Sequence, residues 1–339
     1  IANATGCTSI YGASAPSMPY TVNEKGQGPA WSNSLFEDAA EFGYGMLLGA
    51  KAIREKLAEQ LDALAETAGD DVKNAVNEWK DTYASGITNA PATDKLIAAL
   101  EADGSDAAKA ILKEKDYLSK KSQWVFGGDG WAYDIGFGGV DHILASGRDI
   151  NVMVYDTEVY SNTGGQSSKA TPAAAVAQFA AGGKETKKKD LAGIAMTYGY
   201  VYVAHIAMGA DMNQCVKALA EAEAYPGPSL IIAYAPCINH GIRKGMSKAQ
   251  TEEKLAVDAG YWFNFRYNPA LAEQGKDAFS LDSKEPSGDF QEFIKGEARY
   301  ASLMKVDKDK AAKLFEKNEA DHKAYRKHLE KLVTLYSAD

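Results

Sequence analysis

The sequence predicts an α/β fold, a mostly parallel sheet with helices on both faces, extended by a helical insertion and a helical C-terminal tail. Three observations lead there. Short apolar runs alternate with amphipathic stretches from residue 123 to about 235, the texture of strand–helix–strand repeats. Glycine clusters before position 50 and again from Gly127 to Gly165, where loops bring backbone close to a neighbour. A chain of 339 residues, 45% hydrophobic and 24% charged, has the balance of a globular protein that needs no disulfide or metal staple.

Taken in order, Ile1-Ala2-Asn3-Ala4 reads as a strand already under way. From about 34 to 122 the texture turns to Ala, Glu, Lys and Leu. Ile53, Leu57, Leu61 and Leu64 recur every three or four residues, which predicts a helical insertion. Within it, 81–93 reads as a break and 94–117 as one or two further helices. Trp124-Val125-Phe126 is a short strand running into Gly127-Gly128-Asp129-Gly130. Asp134 is expected to N-cap a helix whose apolar face is Phe137, Val140, Ile143 and Leu144, closed by Gly147. The next strand is 151–155, and 160–169 is a polar loop. Thr171-Pro172 looks like the N-cap and first-turn proline of another helix. Strands at 200–206 and 230–235 enclose a helix over 211–224. The tail, about 289–339, reads as helical with interleaved acids and bases, hence a solvated helix face. By the same token Lys187-Lys188-Lys189 is not singled out as a functional patch.

Charge and cysteine count exclude whole classes of function. The net charge of -9, from 37 basic and 46 acidic residues, argues against a nucleic-acid partner. No apolar run approaches the roughly 20 residues that span a bilayer. Three cysteines are too few for a disulfide framework and point to a reducing, cytoplasmic setting. The chain opens without Met and without the head of a signal peptide, so it is expected to be a piece of something longer.

Gly128-Asp129-Gly130 at a strand end is, alone, a common turn. The segment Asp156-Thr157-Glu158-Val159-Tyr160-Ser161-Asn162 comes after the next strand, so both loops should emerge side by side at one sheet edge. Asp129 carboxylate, Thr157 hydroxyl and Val159 carbonyl are three oxygens of the kind a Mg²⁺ ion takes, with two diphosphate oxygens and a water to complete about six. Backbone N–H groups of Gly130, Trp131 and Ala132, ahead of the helix, can donate to the same phosphates.

This spacing resembles the thiamine diphosphate motif, with Thr157 where most members carry Asn. That variant is found in the pyruvate:ferredoxin (flavodoxin) oxidoreductase family. Ala2-Asn3-Ala4-Thr5-Gly6-Cys7, Gly128-Asp129-Gly130-Trp131-Ala132-Tyr133-Asp134-Ile135-Gly136, Tyr160-Ser161-Asn162-Thr163-Gly164-Gly165-Gln166 and Ala235-Pro236-Cys237 are similar to its C-terminal domain, over essentially all of 1–339. The resemblance implies oxidative decarboxylation of pyruvate with coenzyme A to acetyl-CoA and CO₂, with electrons leaving through [4Fe–4S] clusters to ferredoxin or flavodoxin.

It also implies roles. Gly128, Asp129, Gly130, Trp131, Ala132, Thr157, Ser161 and Asn162 would contact the cofactor, and Asn162 would hydrogen-bond substrate near the reactive carbon. Asn162 is equally a residue that closes an Asx-turn. Cys7 and Cys237 would be two of four cluster ligands; without the resemblance they read as ordinary buried thiols. The upstream Cys-x-x-Cys pair expected to supply the others is not in this sequence, nor is a ferredoxin-type cysteine run. In this family the Glu that engages the aminopyrimidine ring belongs to another, pyrimidine-binding domain. The chain is therefore expected to hold the diphosphate half only, to be inactive alone, and to work within a homodimer.

Two other functions remain open on sequence: a non-redox thiamine-dependent decarboxylase or carboligase, which has no use for the cysteines, and an excised docking module. Cys215 reads as core. His240 reads as a hydrogen-bonded structural residue, His142 and His205 as packing residues, and His322 and His328 as solvated.

Overall fold

A computed structural model describes residues 1–9 and 22–338. They form two compact units, one of Ile1–Gly43 with Trp124–Asp339, the other of Tyr44–Gln123.

The larger unit is built on one eight-stranded sheet. Its strands are β1 (Ala2–Ala4), β2 (Ser32–Ser34), β3 (Trp124–Gly128), β4 (Asn151–Asp156), β5 (Tyr202–Ile206), β6 (Ser229–Tyr234), β7 (Phe265–Tyr267) and β8 (Phe279–Leu281), in the order β2-β1-β3-β4-β6-β5-β7-β8. β1 to β6 are mutually parallel, and β7 and β8 join antiparallel at one edge. β4, β5 and β6 are buried along almost their whole length, which is why they read as unbroken apolar runs rather than alternations. One face carries Phe126, Met153, Tyr202, Ala204, Ile206 and Ile231, covered by Cys215, Ala218 and Ala222 of the helix Met212–Ala224. The opposite set, Val152, Val154, Val203, Leu230 and Ile232, is equally buried. Cys215 is core, as its position suggests.

Two expected helix starts are not there. Asp134 caps nothing: the helix Phe137–Ala145 begins after Gly136, and the Asp134 carboxylate instead takes the backbone and side-chain nitrogens of Lys169. The segment 171–189 is irregular. Thr171 spends its hydroxyl on the Glu158 carbonyl (2.6 Å), and Ala174 and Phe179 sit at positive φ (70° and 65°), which no helix tolerates. The next helix, Leu191–Met196, is capped by Asp190.

The smaller unit is helical. Leu57, Leu61 and Leu64 pack with Val76, Trp79, Leu96, Leu100, Ile111 and Leu118, with Ile53 at the margin. The expected break at 81–93 is shorter. Ser85 caps a helix Gly86–Asp103 that carries Pro91 inside it. The carbonyl Pro91 leaves unpaired belongs to Ile87, which is 85% exposed, so water can serve it. A buried Arg54 ties the unit together through the Leu118 carbonyl (3.1 Å) and Asn89 (2.9 Å).

The tail comprises the helices Phe290–Lys295, Ala298–Ala301, Leu303–Val306 and Lys308–Leu335. The last buries Ala311, Leu314, Phe315, Leu329 and Leu332 and leaves its other face to solvent. His328 is exposed, but His322 is not solvated as expected: its ring stacks on Tyr261 at 4.7 Å. His142 is exposed rather than packed. Among the described residues no helix is long and apolar enough to cross a membrane.

His205 of β5 lies stacked between Trp262 (4.7 Å) and Phe265 (4.4 Å). Burial, aided by Lys188, holds its imidazole down at about 3. An unfolded chain takes up a proton near pH 6.5 that the folded one refuses, so stability is full above that pH and falls as pH drops below it. His205→Gln should shrink the loss of unfolding free energy between pH 7.5 and 5.5 by about 1.4 kcal/mol. Urea titrations at the two pH values measure it; an unchanged difference refutes the assignment.

Candidate active site

Four neighbouring parallel strands, β1, β3, β4 and β6, end at one edge of the sheet. Just beyond their ends the chain carries Cys7, Asp129, Thr157 and Cys237 respectively. Side chains far apart in sequence therefore meet. The Thr157 Oγ1 lies 2.8 Å from Asp129 Oδ1 and 2.9 Å from the Val159 carbonyl. Ser161 Oγ lies 3.0 Å from Thr157 Oγ1 and 3.3 Å from the same carbonyl.

The first loop is shaped by glycines. A Cβ on Gly130 would stand 2.3 Å from the Tyr160 ring, and one on Gly127 2.3 Å from the Trp131 ring. Gly130 is needed because the second loop presses on the first there, and Gly127 because the first loop folds its own Trp131 ring back over the strand end. The turn Gly130–Ile135 starts directly at Asp129 and is wound wide, Gly136 N–H reaching back to the Trp131 carbonyl (2.9 Å). Gly130, Trp131 and Ala132 are buried within it. The second loop is shaped by one residue at positive φ, Glu158 (59°). That kink turns the hydroxyl before it and the carbonyl after it toward the same point.

The electrostatics are unusual. Asp129, Asp156, Glu158 and Glu297 are all buried, against two cations, Lys188 and Arg299. Lys188 pairs with Asp156 (2.7 Å) and Glu158 (3.3 Å), and Arg299 with Glu158 and Glu297 (2.7 Å each). Burial would raise Glu158, but Lys188 and Arg299 overcome it and hold the carboxyl at about 2. Among the described residues Asp129 has no ion pair, only the hydroxyls of Thr157 and Ser168 (2.7 Å). Burial, reinforced by Asp156, pushes it up to about 7. Burial likewise lifts Glu297 to about 7 against the pull of Arg299.

Two features of this donor set fit a divalent cation. The Thr157 hydroxyl has one proton and two acceptor oxygens within 2.9 Å, so one contact is oxygen against oxygen with no hydrogen between unless Asp129 is protonated. Oxygens held about 2.1 Å from an octahedral Mg²⁺ lie about 3 Å from one another, which is the spacing observed. With a single carboxylate in the set, the ion's remaining charge calls for an anionic ligand such as a diphosphate.

His240 braces the second loop. Its ring is fully buried and neutral, held at about 3 by burial and then by Arg299. Nδ1 accepts from the Cys237 N–H (3.4 Å), which leaves Nε2–H to donate to the Thr157 carbonyl (2.8 Å). It is the structural histidine that the sequence suggests.

Cys7 is exposed and Cys237 half-buried. Partial burial raises the Cys7 thiol, Cys237 and Asp129 raise it further, and Ser161 lowers it. The two thiols thus flank the Ser161 loop. Asn239 spans it too, donating to the Ser161 carbonyl (3.3 Å) and lying 3.7 Å from the Cys237 Sγ. Asn162 is not drawn in: it is exposed and makes no side-chain hydrogen bond among the described residues.

Sequence reasoning missed Glu158, Lys188, Arg299 and Ser168. Lys188 sits in a three-lysine run that reads as surface, and Arg299 in a charged tail. Only Glu158, placed between two expected metal donors, carried a usable signal.

The family described as thiamine pyrophosphate enzyme, C-terminal TPP binding domain, matches residues 104–233. A pyruvate-flavodoxin oxidoreductase of Enterobacter agglomerans is 57% identical, across 98% of this chain and 29% of that protein. A pyruvate:ferredoxin oxidoreductase of Moorella thermoacetica is 56% identical, again across 98% of this chain and 29% of its own length. A solved 2-oxoglutarate:ferredoxin oxidoreductase from Magnetococcus marinus, with 2-oxoglutarate, coenzyme A and succinyl-CoA bound, matches at 24% identity over 34% of this chain and 40% of that one. Its TM-score is 0.32, a local likeness that adds nothing to the sequence matches. The chain spans under a third of the length of the two curated relatives. Across essentially its full extent, the chain is similar to one part of these pyruvate:ferredoxin (flavodoxin) oxidoreductases, and within it residues 104–233 match the thiamine pyrophosphate-binding family.

Proposed function

We propose that this chain seats the diphosphate of thiamine diphosphate, through Mg²⁺, in an enzyme that oxidises pyruvate with coenzyme A to acetyl-CoA and CO₂. Electrons pass through [4Fe–4S] clusters to ferredoxin or flavodoxin. The observation that carries this reading is the meeting of Asp129, Thr157 and Val159 oxygens beside more buried carboxyls than cations.

In this reading Asp129, Thr157 and Val159 hold the ion, and the backbone of Gly128, Gly130, Trp131 and Ala132 lines the diphosphate. Ser161 steadies the Thr157 hydroxyl, and exposed Asn162 faces substrate. Thiamine diphosphate, held there by these residues, would supply nucleophilic-carbon chemistry toward the oxoacid. His240 fixes the Thr157 peptide without exchanging protons, since burial keeps it neutral. Cys7 and Cys237 supply two of the four thiolates a cluster takes, and the rest of the protein supplies the others and the pyrimidine contacts. The setting is the reducing cytoplasm, and the assembly a homodimer.

Asp129→Ala should abolish Mg²⁺-dependent thiamine diphosphate binding, read by calorimetry, with the circular dichroism spectrum unchanged. Wild-type affinity in that variant would sink the site. Cys237→Ala in the intact protein should lower the iron content and alter the cluster EPR signal. Unaltered iron and EPR, with turnover retained, would favour the non-redox decarboxylase instead.

A further inference from the structure

We infer that Glu158, clamped by Arg299 and Tyr261, is a positioning residue that holds the Thr157 hydroxyl and Val159 carbonyl in metal-binding register. The inference rests on the metal site proposed above and adds residues to it that donate nothing to the ion.

Glu158 stands between two donors and points its own carboxylate the other way, into the protein. Its backbone is left-handed (φ 59°), a conformation unfavourable for an L-residue with a long side chain and kept only where surroundings enforce it. The enforcement is visible on every polar atom nearby. Oε2 accepts from Arg299 Nη2 (2.7 Å) and the Tyr261 hydroxyl (2.6 Å), and Oε1 faces Lys188 Nζ (3.3 Å). The Glu158 N–H donates to Asp156 Oδ1 (3.1 Å), and its carbonyl accepts from Thr171 Oγ1 (2.6 Å). The preceding carbonyl, of Thr157, is held by His240.

Arg299 is itself fixed. Its Nε donates to Glu297 (2.7 Å), and its carbonyl accepts from Val176 N–H (2.9 Å). Two braces therefore converge on the peptide between Thr157 and Glu158: His240 holds its carbonyl, and Arg299, itself fixed by Glu297, holds the Glu158 side chain. Released from these braces, residue 158 would relax toward negative φ, and the hydroxyl before it and the carbonyl after it would no longer face one point. Groups that orient metal ligands without touching the metal typically govern affinity 10–100-fold.

The test measures Mn²⁺ binding to the intact protein by EPR titration, with thiamine diphosphate present, and thermal unfolding alongside. Glu158→Gln should weaken Mn²⁺ about 10–100-fold. Glu158→Gly leaves the backbone free to adopt positive φ but removes the clamp, and should weaken binding as much. Tyr261→Phe deletes one hydrogen bond and should cost severalfold in a folded protein, so it decides the matter if the Glu158 variants do not fold. Arg299→Lys should recover part of what Arg299→Met loses. Mn²⁺ affinity at the wild-type level in Glu158→Gly and Tyr261→Phe, with only the melting temperature lowered, would overturn the clamp. Asp129→Ala in parallel separates the failures: if it too binds Mn²⁺ normally, the metal site itself is wrong.

Discussion

Four carboxyls buried with two cations is the constraint around which this site is arranged. Removing a carboxylate from water costs several kcal/mol unless it is paired and hydrogen-bonded. Asp156 and Glu158 meet that cost through Lys188, Arg299, Tyr133 and Tyr261. Asp129 is left with hydroxyl partners alone and rises to about 7, where a proton and a cation compete for it. A site that withholds a counter-ion from one acid, and crowds oxygens against it, has the chemistry that the proposed cation would satisfy.

The sheet makes that arrangement possible. Parallel strands buried on both faces leave no freedom in register, so the ends of β1, β3, β4 and β6 are fixed relative to one another to within a side chain. Glycines at 127 and 130 then let the first loop lie against the rings of Trp131 and Tyr160, and Glu158 bends the second loop toward it. Rigidity comes from strands and conformational exceptions from three positions. A site on flexible loops alone could not keep the Asp129 and Val159 oxygens each within about 3 Å of the Thr157 hydroxyl.

The fold's centre was legible because burial writes itself into composition: β3 to β6 are apolar runs between turn residues, and the proposed metal donors come directly after two of them. The polar strand β2 and the three-residue strands β7 and β8 carry no such pattern. The segment 171–189 misled because Thr-Pro and a run of alanines favour a helix, while the Thr171 hydroxyl and Lys184 amine find better partners in the Glu158, Ser168 and Thr171 carbonyls. Lys188 was hidden in a run of three lysines that reads as surface, and Arg299 was illegible for a different reason. An ion pair between residues more than a hundred positions apart, like Glu158 with Arg299, leaves no local periodicity to read.

The placing of the two thiols bears on how the proposed chemistry divides its labour. Cys7 and Cys237 lie on the outer pair of the four strand ends, with Asp129 and Thr157 on the inner pair. Ser161 lies between both sets: its hydroxyl bonds Thr157 and counters the rise of the Cys7 thiol, and its carbonyl takes Asn239 beside Cys237. A cluster held there would share one rigid loop with the metal–diphosphate seat, so the distance between electron donor and acceptor would be set by the sheet rather than by a hinge. The backbone N–H of Cys237 also fixes the tautomer of the His240 that braces Thr157. In the proposed reading a cluster ligand at Cys237 and a metal donor at Thr157 would therefore sit on two segments tied together by a single buried imidazole.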